Sequence, residues 1–407
     1  MKKHLPSHAF LLALTLFSTF LAAHAQNAAT DNNLAPGAPG HDAQWTNAGK
    51  DAVGTANTTE SKVWFTLRDG VMTEVYYPTV DVANSMELKF VVVPLGGKVQ
   101  TEDEDASHHF EVVDPKSLTF RQINTAKDGS WKITKTYATD PERSTVLVDV
   151  LFEQRGLHAL YVYYDPALNN SGMHDTGWTS LAGNALLASD ADKASALVVS
   201  NSVGLDERTN GYLGTSDGLT QLRHGPSGGG SRLKQYPRAA DGNVVQVGRV
   251  VFAQDAPAHF TLALGFGREA VEALSNARAT LKKGFNATLV GYQLGWNEYV
   301  HTLRRVESKY QAQFDMAAMV LKAHEDKTFR GAMIASLSIP WGGGSNANEP
   351  NVGGYHLVWS RDLYQVASAF YALGDKASAD RALDYLFRVQ QKQDGSFPKR
   401  KIGRAHV

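Results

Sequence analysis

The chain has 407 residues, 43% hydrophobic and 20% charged, which is ordinary for a soluble globular protein. Its 40 Lys and Arg residues nearly balance 41 Asp and Glu residues, so the formal net charge of −1 gives no basis for nucleic-acid binding. The absence of cysteine excludes disulfides, thiol nucleophiles and Cys-ligated metals. The fold must therefore depend on a sizeable core, and the chain is long enough for two or three domains.

The N-terminus has the three parts of a secretory signal peptide. Lys2 and Lys3 precede an apolar run from Ala9 to Ala23, and a small residue, Ala25, ends the segment. The run is shorter than the ~20 residues that a membrane span needs. We therefore predict a signal peptide over residues 1–25, export to the periplasm or the extracellular space, and no membrane association after cleavage.

Short runs of β-branched and aromatic residues follow, separated by Gly, Asp, Asn and Pro. No helical period interrupts them, and many strands without crossover helices favour antiparallel sheets packed face to face. The sequence predicts a large antiparallel β-sandwich over residues 26–267. Predicted strands include SKVWFTLRDG, ELKFVVVPL, WKITKTYAT, TVLVDVLFEQ, LHALYVYYDP and HFTLALGFG.

Helical periodicity begins at about residue 268. Residues 268–307 are predicted to form a helical linker and residues 308–398 to begin an all-α domain. Two antiparallel helices are expected to meet at Gly374 and Asp375, and such hairpins favour an α/α toroid over a simple bundle. The predicted helix faces are Val271, Leu274, Ala277 and Leu281; then Leu289, Tyr292, Trp296, Tyr299 and Leu303; then Tyr310, Phe314, Ala317, Leu321 and His324.

Motifs for metals and nucleotides are weak. The pair His108-His109 and the separate His174, His224 and His356 form no HExxH or similar helical pair, and the Gly-rich segments lack the Lys-Ser/Thr of a phosphate loop. The acidic segment TEDEDASHH is expected to be a solvated loop, with a weak calcium site as the alternative. The sequence therefore predicts no dedicated metal site and no required cofactor.

The segment GGYHLVWSRD combines aromatic rings with an Arg–Asp pair, residue types that suit a flat, hydroxylated ligand. Arg361 offers a planar fork of donors and Asp362 an acceptor. Both lie where a helix is predicted to begin, so Asp362 can also simply complement the helix N-terminus with Arg361 as its surface neighbour. On the residues alone, a sugar site and a helix-end pair both remain open.

Three motifs carry a resemblance to a known family. AMVLKAHEDKTFRGAMIASLSIPWG, GGYHLVWSRDLYQVASAFYALGD and QKQDGSFP, in this order, resemble the bacterial glucoamylases and glucodextranases of glycoside hydrolase family fifteen. The resemblance implies an N-terminal β-supersandwich, a helical linker and an incomplete α/α barrel of six hairpins. It also implies a monomeric, exo-acting hydrolase that releases glucose from α-glucans (starch, maltooligosaccharide or dextran type) with inversion. Calcium binding is compatible with the resemblance.

The resemblance also assigns roles to four residues. Tyr355 and Trp359 are expected to pack against the terminal glucose, while Arg361 and Asp362 hydrogen-bond its hydroxyl groups. Together these side chains would form one wall of the glucose subsite.

No catalytic residue is assigned. Inversion needs two carboxylic groups about 6.5–9.5 Å apart, one as acid and one as base, and in the family both are glutamates located after QKQDGSFP. Glu325, Asp326, Glu349 and Asp362 do not match those positions. The chain itself is therefore expected to be an inactive fragment.

The last residues differ from the family. KIGRAHV can be encoded by a stretch that contains the start of a common sequencing-library adapter, and we predict that residues 399–407 are non-native. Genomic sequence that continues in frame after Pro398 is the expected result, whereas a clean stop codon directly after Val407 would contradict the prediction.

Two alternatives to the glucan hydrolase remain. One is a phosphorylase- or trehalase-like relative with the same layout, and the other is a carbohydrate-binding or structural β-sandwich protein. Glucan pull-down with residues 26–285 distinguishes the last from the hydrolase. Retention indicates binding through the sandwich, whereas loss of retention places the affinity in the helices.

Overall fold

The computed structural model describes residues 34–46, 48–180, 184–200, 202–225, 233–338, 355–399 and 402. Up to Gly267, the described residues form two antiparallel sheets, which confirms the predicted β-sandwich. The first sheet has the order β1-β2-β3-β4-β10-β16-β14, with β5 added beside β4. Its strands are β1 Ala52–Gly54, β2 Trp64–Arg68, β3 Val71–Tyr76, β4 Ala83–Pro94, β5 Gln100–Thr101, β10 His158–Pro166, β14 Gly204–Tyr212 and β16 Val244–Val251.

The second sheet has the order β15-β11-β12-β13-β17-β9-β8-β7-β6 in the same described region. Inward side chains of both sheets share one core, where Phe90 of the first sheet meets Phe260 of the second edge-on at 5.9 Å between ring centroids. The strands are β6 Ala106–Asp114, β7 Thr119–Ala126, β8 Trp131–Thr139, β9 Thr145–Gln154, β11 Asp175–Ser180, β12 Ala185–Asp190, β13 Lys193–Val199, β15 Arg238–Gly242 and β17 Ala258–Gly267.

Seven α-helices lie in the described residues. Two short ones interrupt the strands of the sandwich region, where the sequence shows no helical period. The second of these is capped by the Asp217 carboxylate, which accepts a hydrogen bond from the Thr220 amide. A helix of so few residues has no recognisable hydrophobic periodicity in the sequence. The helices are α1 Glu102–Asp105, α2 Gly218–His224, α3 Ala270–Lys283, α4 Phe285–His301, α5 Ser308–Ala323, α6 Ser360–Leu373 and α7 Lys376–Tyr385.

The acidic segment TEDEDASHH is not a solvated loop, so that prediction is wrong. It forms α1 and the start of β6, and the Glu102 carboxylate is fully buried 2.7 Å from Lys135 Nζ. The amide of Phe90 and the side chain of Asn124 also donate to Glu102. A buried carboxylate is tolerated here because a cation and two further donors satisfy it.

Helix α3 packs directly on β17 and β13. A Cβ on Gly265 would lie 2.4 Å from the carbonyl oxygen of Ala273, so only glycine permits this approach. The close spacing places Ala273 and Ala277 against the sheet. Val271, predicted on the buried face, is instead 78% exposed.

The predicted face of α4 is confirmed. Tyr292, Trp296 and Tyr299 are buried against the sandwich, Leu303 is buried just beyond the helix, and Leu289 is half-buried. Large apolar side chains at helical spacing therefore define the buried face of α4, and this spacing is visible in the sequence.

The predicted face of α5 is confirmed for Phe314 and Leu321, which pack against the core, and is wrong for Tyr310 and Ala317. Tyr310 is 52% exposed and Ala317 is exposed, while Ala318, Met319 and Ala323 are buried. Trp64 Nε1 of the sandwich donates to the Ala323 carbonyl oxygen at 2.9 Å, which holds the C-terminal end of α5 against the sandwich.

Helices α6 and α7 form the predicted antiparallel hairpin. Gly374 adopts the left-handed conformation, φ 93°, and the Asp375 carboxylate caps α7 by accepting from the Ser378 amide. The described helices do not close into a barrel. The proposed domain limits at residues 267, 307 and 398 stay predictions.

Residues 1–25, predicted as a signal peptide, lie outside the described residues, as does most of the predicted tail. Among the described helices, none combines the length and apolar character that a membrane span requires.

The buried pair of Lys135 and Glu102 generates a stability prediction. Lys135→Met should lower the free energy of unfolding by about 3–5 kcal/mol, because it leaves the Glu102 charge buried without a cation. Lys132→Met on the same strand is the matched control, since its pair with Glu153 is 43% and 39% exposed, and it should cost at most about 1 kcal/mol. Urea unfolding measures both, and equal losses would contradict the prediction.

Candidate functional site

The four residues expected to hold a sugar lie on one short segment that leads into α6. Tyr355 is 46% exposed, Trp359 is half-buried at the N-cap position, and Arg361 is exposed. Asp362 is half-buried in the first turn of α6. The segment presents aromatic and charged groups together, and their sugar-binding role stays a prediction.

Trp359 is the centre of this segment. The Arg361 guanidinium carbon is 5.7 Å from the centre of the Trp359 ring, and Lys399 Nζ is 5.1 Å from it. Both distances are within the range of cation–π attraction. The structure thus brings Trp359 and Arg361 together, whereas Asp362 also fits the simpler role of an acid at a helix N-terminus.

Gln390 fixes the backbone beside Trp359. Its buried side-chain amide donates to the Val358 carbonyl at 2.9 Å and to the Pro398 carbonyl at 2.7 Å. It lies at the end of the π-helical turn Leu386–Gln390, a type of distortion that is frequent at functional sites. The sequence analysis did not single out Gln390, and only its position directly before the motif QKQDGSFP could have indicated it.

A second set of hydrogen bonds holds the backbone at Tyr355 and Leu357. The Ser336 amide donates to the Tyr355 carbonyl at 3.1 Å, and the Ala335 amide to the Leu357 carbonyl at 3.3 Å. Leu337 is in turn held by two side chains. Its amide donates to His324 Nε2 at 3.2 Å, and its carbonyl accepts from the Tyr76 hydroxyl at 3.0 Å.

His356 lies in the same buried environment. Its ring centre is 4.8 Å from that of Tyr76, and burial lowers the pKa of His356 to about 3, against a small opposing effect of a hydrogen bond to the Asp81 backbone. Burial likewise lowers the pKa of His324. Both imidazoles are therefore neutral at physiological pH, so neither adds a charge next to residues 355–362.

Glu325 and Asp326 have structural roles. Burial alone would raise the pKa of Glu325, but hydrogen bonds from Arg381 and the charge of Lys322, with a further bond from Arg330, hold it well below its ordinary range. Asp326 accepts the backbone amides of Val80, Thr328 and Phe329. Both carboxylates are thus engaged by partners of their own, and Glu349 lies outside the described residues.

The Glu325 cluster lines a polar cleft of about 470 Å³ between residues 55–60 and the helices. Two of its cations are engaged by one carboxylate: Arg381 and Arg330 each make two hydrogen bonds to Glu325. In the described part of the chain, no three His, Asp or Glu side chains converge as metal ligands. Calcium binding accordingly has no assigned residues.

The sandwich, the helices docked on it and the ring–Arg–Asp segment define a two-part chain of the glycoside-hydrolase type. Residues 35–301 match the family described as "Glucodextranase, domain N", and residues 311–396 match "Glycosyl hydrolases family 15". The first match covers well over half of the chain, so the chain belongs to the glucodextranase domain N family.

Two relatives agree with this assignment. A glucoamylase from Clostridium sp. (strain G0005) is 36% identical over 401 residues, which are 96% of this chain and 56% of the relative. A crystal structure of a bacterial glucoamylase complexed with acarbose is 38% identical, with a TM-score of 0.84 over 92% of this chain and 55% of that one. The chain thus spans about half the length of both relatives.

The lowered pKa of His356 predicts acid sensitivity. The unfolded imidazole takes up a proton near pH 6.5, whereas the folded one resists until about pH 3, so stability should fall as the pH drops through this window. His356→Phe keeps the ring and removes the titration, so its urea midpoint should fall less between about pH 7 and about pH 4.5. His324 and Asp81 are present in both chains, so the comparison is made between the two pH curves. Parallel pH curves for the two proteins would contradict this assignment.

Proposed function

We propose that this chain contributes the sugar-binding part of an α-glucan hydrolase that releases glucose from non-reducing ends with inversion. Tyr355, Trp359, Arg361 and Asp362 form one wall of the glucose subsite. Starch, maltooligosaccharides or dextran-type glucans are the substrate class. The observation that carries the proposal is the contact of Arg361 with Trp359 on a segment whose backbone is braced on both sides.

The chemistry of the segment supports this role. The Trp359 ring offers an apolar face to the C–H groups of a sugar, while the Arg361 fork and the Asp362 carboxylate offer donors and an acceptor for its hydroxyl groups. Hydrogen bonds to charged groups are the stronger class, about 1.5–3 kcal/mol each. A ring and an Arg–Asp pair on adjacent residues therefore suffice for one wall of a sugar site.

Cleavage needs an acid and a base in addition. Glu325 is held by three cations and Asp326 by three backbone amides, so both are already engaged. We expect the 407-residue chain to bind a glucan analogue without releasing glucose from maltooligosaccharides. Export after cleavage behind Ala25, a monomeric state and the absence of a required cofactor belong to the same proposal.

Acarbose, the ligand of the glucoamylase relative, tests the site. Asp362→Asn should weaken acarbose binding by about ten- to a hundredfold, the equivalent of one hydrogen bond to a charged group. Asp384→Asn is the control, since Asp384 is an exposed acid on α7 that forms an ion pair with the exposed Arg388, and this variant should bind as the parent does. Titration calorimetry measures all three chains.

The outcomes separate the interpretations of Asp362. Weaker binding with unchanged thermal stability supports the sugar site. A lower melting temperature with unchanged binding shows instead that Asp362 is a helix-end acid. A parent chain that does not bind acarbose overturns the proposal.

A further inference from the structure

Strand β3 of the β-sandwich reaches the candidate sugar site. Strand β3 ends at Tyr76, which is fully buried, and burial raises the pKa of its phenol well above the ordinary value. The hydroxyl group is therefore always protonated and available as a donor. It donates to the carbonyl of Leu337 at 3.0 Å, 261 residues further along the chain.

Tyr76 contacts both chain segments that frame Tyr355. Through its hydroxyl group it holds Leu337, and through its ring it packs against His356 with centroids 4.8 Å apart at an angle of 54°. His356 directly follows Tyr355 in sequence, and the Tyr355 carbonyl accepts from Ser336, the residue before Leu337. One side chain of the sandwich thus contacts the residue that follows each of the two hydrogen-bonded residues.

The hydrogen bonds around Leu337 leave it little freedom. Its carbonyl is held by Tyr76 and its amide by His324 Nε2, whose Nδ1 lies 2.7 Å from the Val320 carbonyl. That contact requires a proton on Nδ1, so Nε2 is the acceptor and His324 is neutral. Leu337 is therefore fixed from the sandwich on one side and from the end of α5 on the other.

We propose that Tyr76 is a positioning residue for the sugar site, through which the sandwich sets the place of Tyr355. This inference rests on the proposed function, because it requires that Tyr355 contacts the glucan. Tyr76 touches no substrate itself. It acts through the Leu337 carbonyl and the His356 ring, so loss of its hydroxyl group should loosen the Tyr355 segment without removing any sugar-binding group.

Tyr76→Phe tests the proposal with a matched control. It removes one hydroxyl group and keeps the ring against His356. Tyr292→Phe removes an equally buried hydroxyl group that donates to the Leu118 carbonyl at 2.8 Å, also between a helix and the sandwich but not on the path to Tyr355. Both variants lose one buried hydrogen bond, so both should lose similar thermal stability.

The two variants should differ at the site. Tyr76→Phe should raise the dissociation constant for acarbose about five- to tenfold, whereas Tyr292→Phe should leave it unchanged. Amide hydrogen exchange, which needs no ligand, should be faster in Tyr76→Phe at residues 335–338 and 355–358 than in the parent or the control. Both measurements use the 407-residue chain.

A second pair of variants tests Leu337 from its amide side. His324→Leu removes the acceptor of the Leu337 amide and should weaken acarbose binding as Tyr76→Phe does. His324→Gln offers a side-chain oxygen in its place and should restore part of the affinity.

Each outcome decides the inference. Faster exchange together with weaker binding in Tyr76→Phe alone supports it. Faster exchange with unchanged binding shows a purely structural tyrosine and overturns it, as does equal behaviour of the two tyrosine variants. A parent chain that does not bind acarbose overturns the proposed function itself, and the positioning role falls with it.

Discussion

The structure depends on hydrogen bonds that cross from the sandwich to backbone carbonyls of the helices, or the reverse. Trp64 Nε1 donates to the Ala323 carbonyl at 2.9 Å at the end of α5, and Trp296 Nε1 of α4 donates to the Thr55 carbonyl at 2.8 Å. Helix ends leave carbonyls without intrahelical partners, and burying them unsatisfied is costly. The Trp64 indole satisfies such a carbonyl at the end of α5, and the Trp296 indole satisfies a buried carbonyl just after β1. Both bury large apolar rings, so one residue contributes both orientation and apolar burial.

Charge is used differently inside the sandwich and at its junction with the helices. Within the sandwich, Lys135 and Glu102 form a single pair, fully removed from solvent. At the junction, three cations share Glu325, and Arg330 and Arg381 keep 37% and 31% of their side chains exposed. Partial exposure reduces the desolvation cost of each cation. Among the described residues, Lys327 has no carboxylate partner of this kind: its ammonium group lies over the Trp64 ring and donates to Thr55 and to the Ser61 carbonyl. Burial lowers the pKa of Lys327 well below its ordinary value.

The sequence predicted the parts of the fold that local pattern controls. Strands β8, β9 and β10 have β-branched and aromatic runs bounded by turn residues, and the hairpin of α6 and α7 has a glycine and a capping acid at its turn. The failures have a common cause in tertiary contact. Glycines of β17 let α3 approach the sheet so closely that alanine side chains, and not Val271, pack against it. Lys135, which is distant in sequence, makes burial of Glu102 favourable. Neither effect is visible within a short window of sequence.

The same reasoning applies to the candidate site. The aromatic and charged residues of 355–362 stand out in sequence because they are adjacent, whereas Tyr76, His324 and Gln390 are separated from them by up to hundreds of residues and look like ordinary core positions. The two interpretations of Asp362 are also compatible in physical terms. A carboxylate in the first turn of a helix complements the positive end of the helix dipole, and its oxygens can still accept hydrogen bonds from a ligand. A helix-end acid that keeps part of its surface exposed is therefore well suited to accept hydrogen bonds from sugar hydroxyl groups.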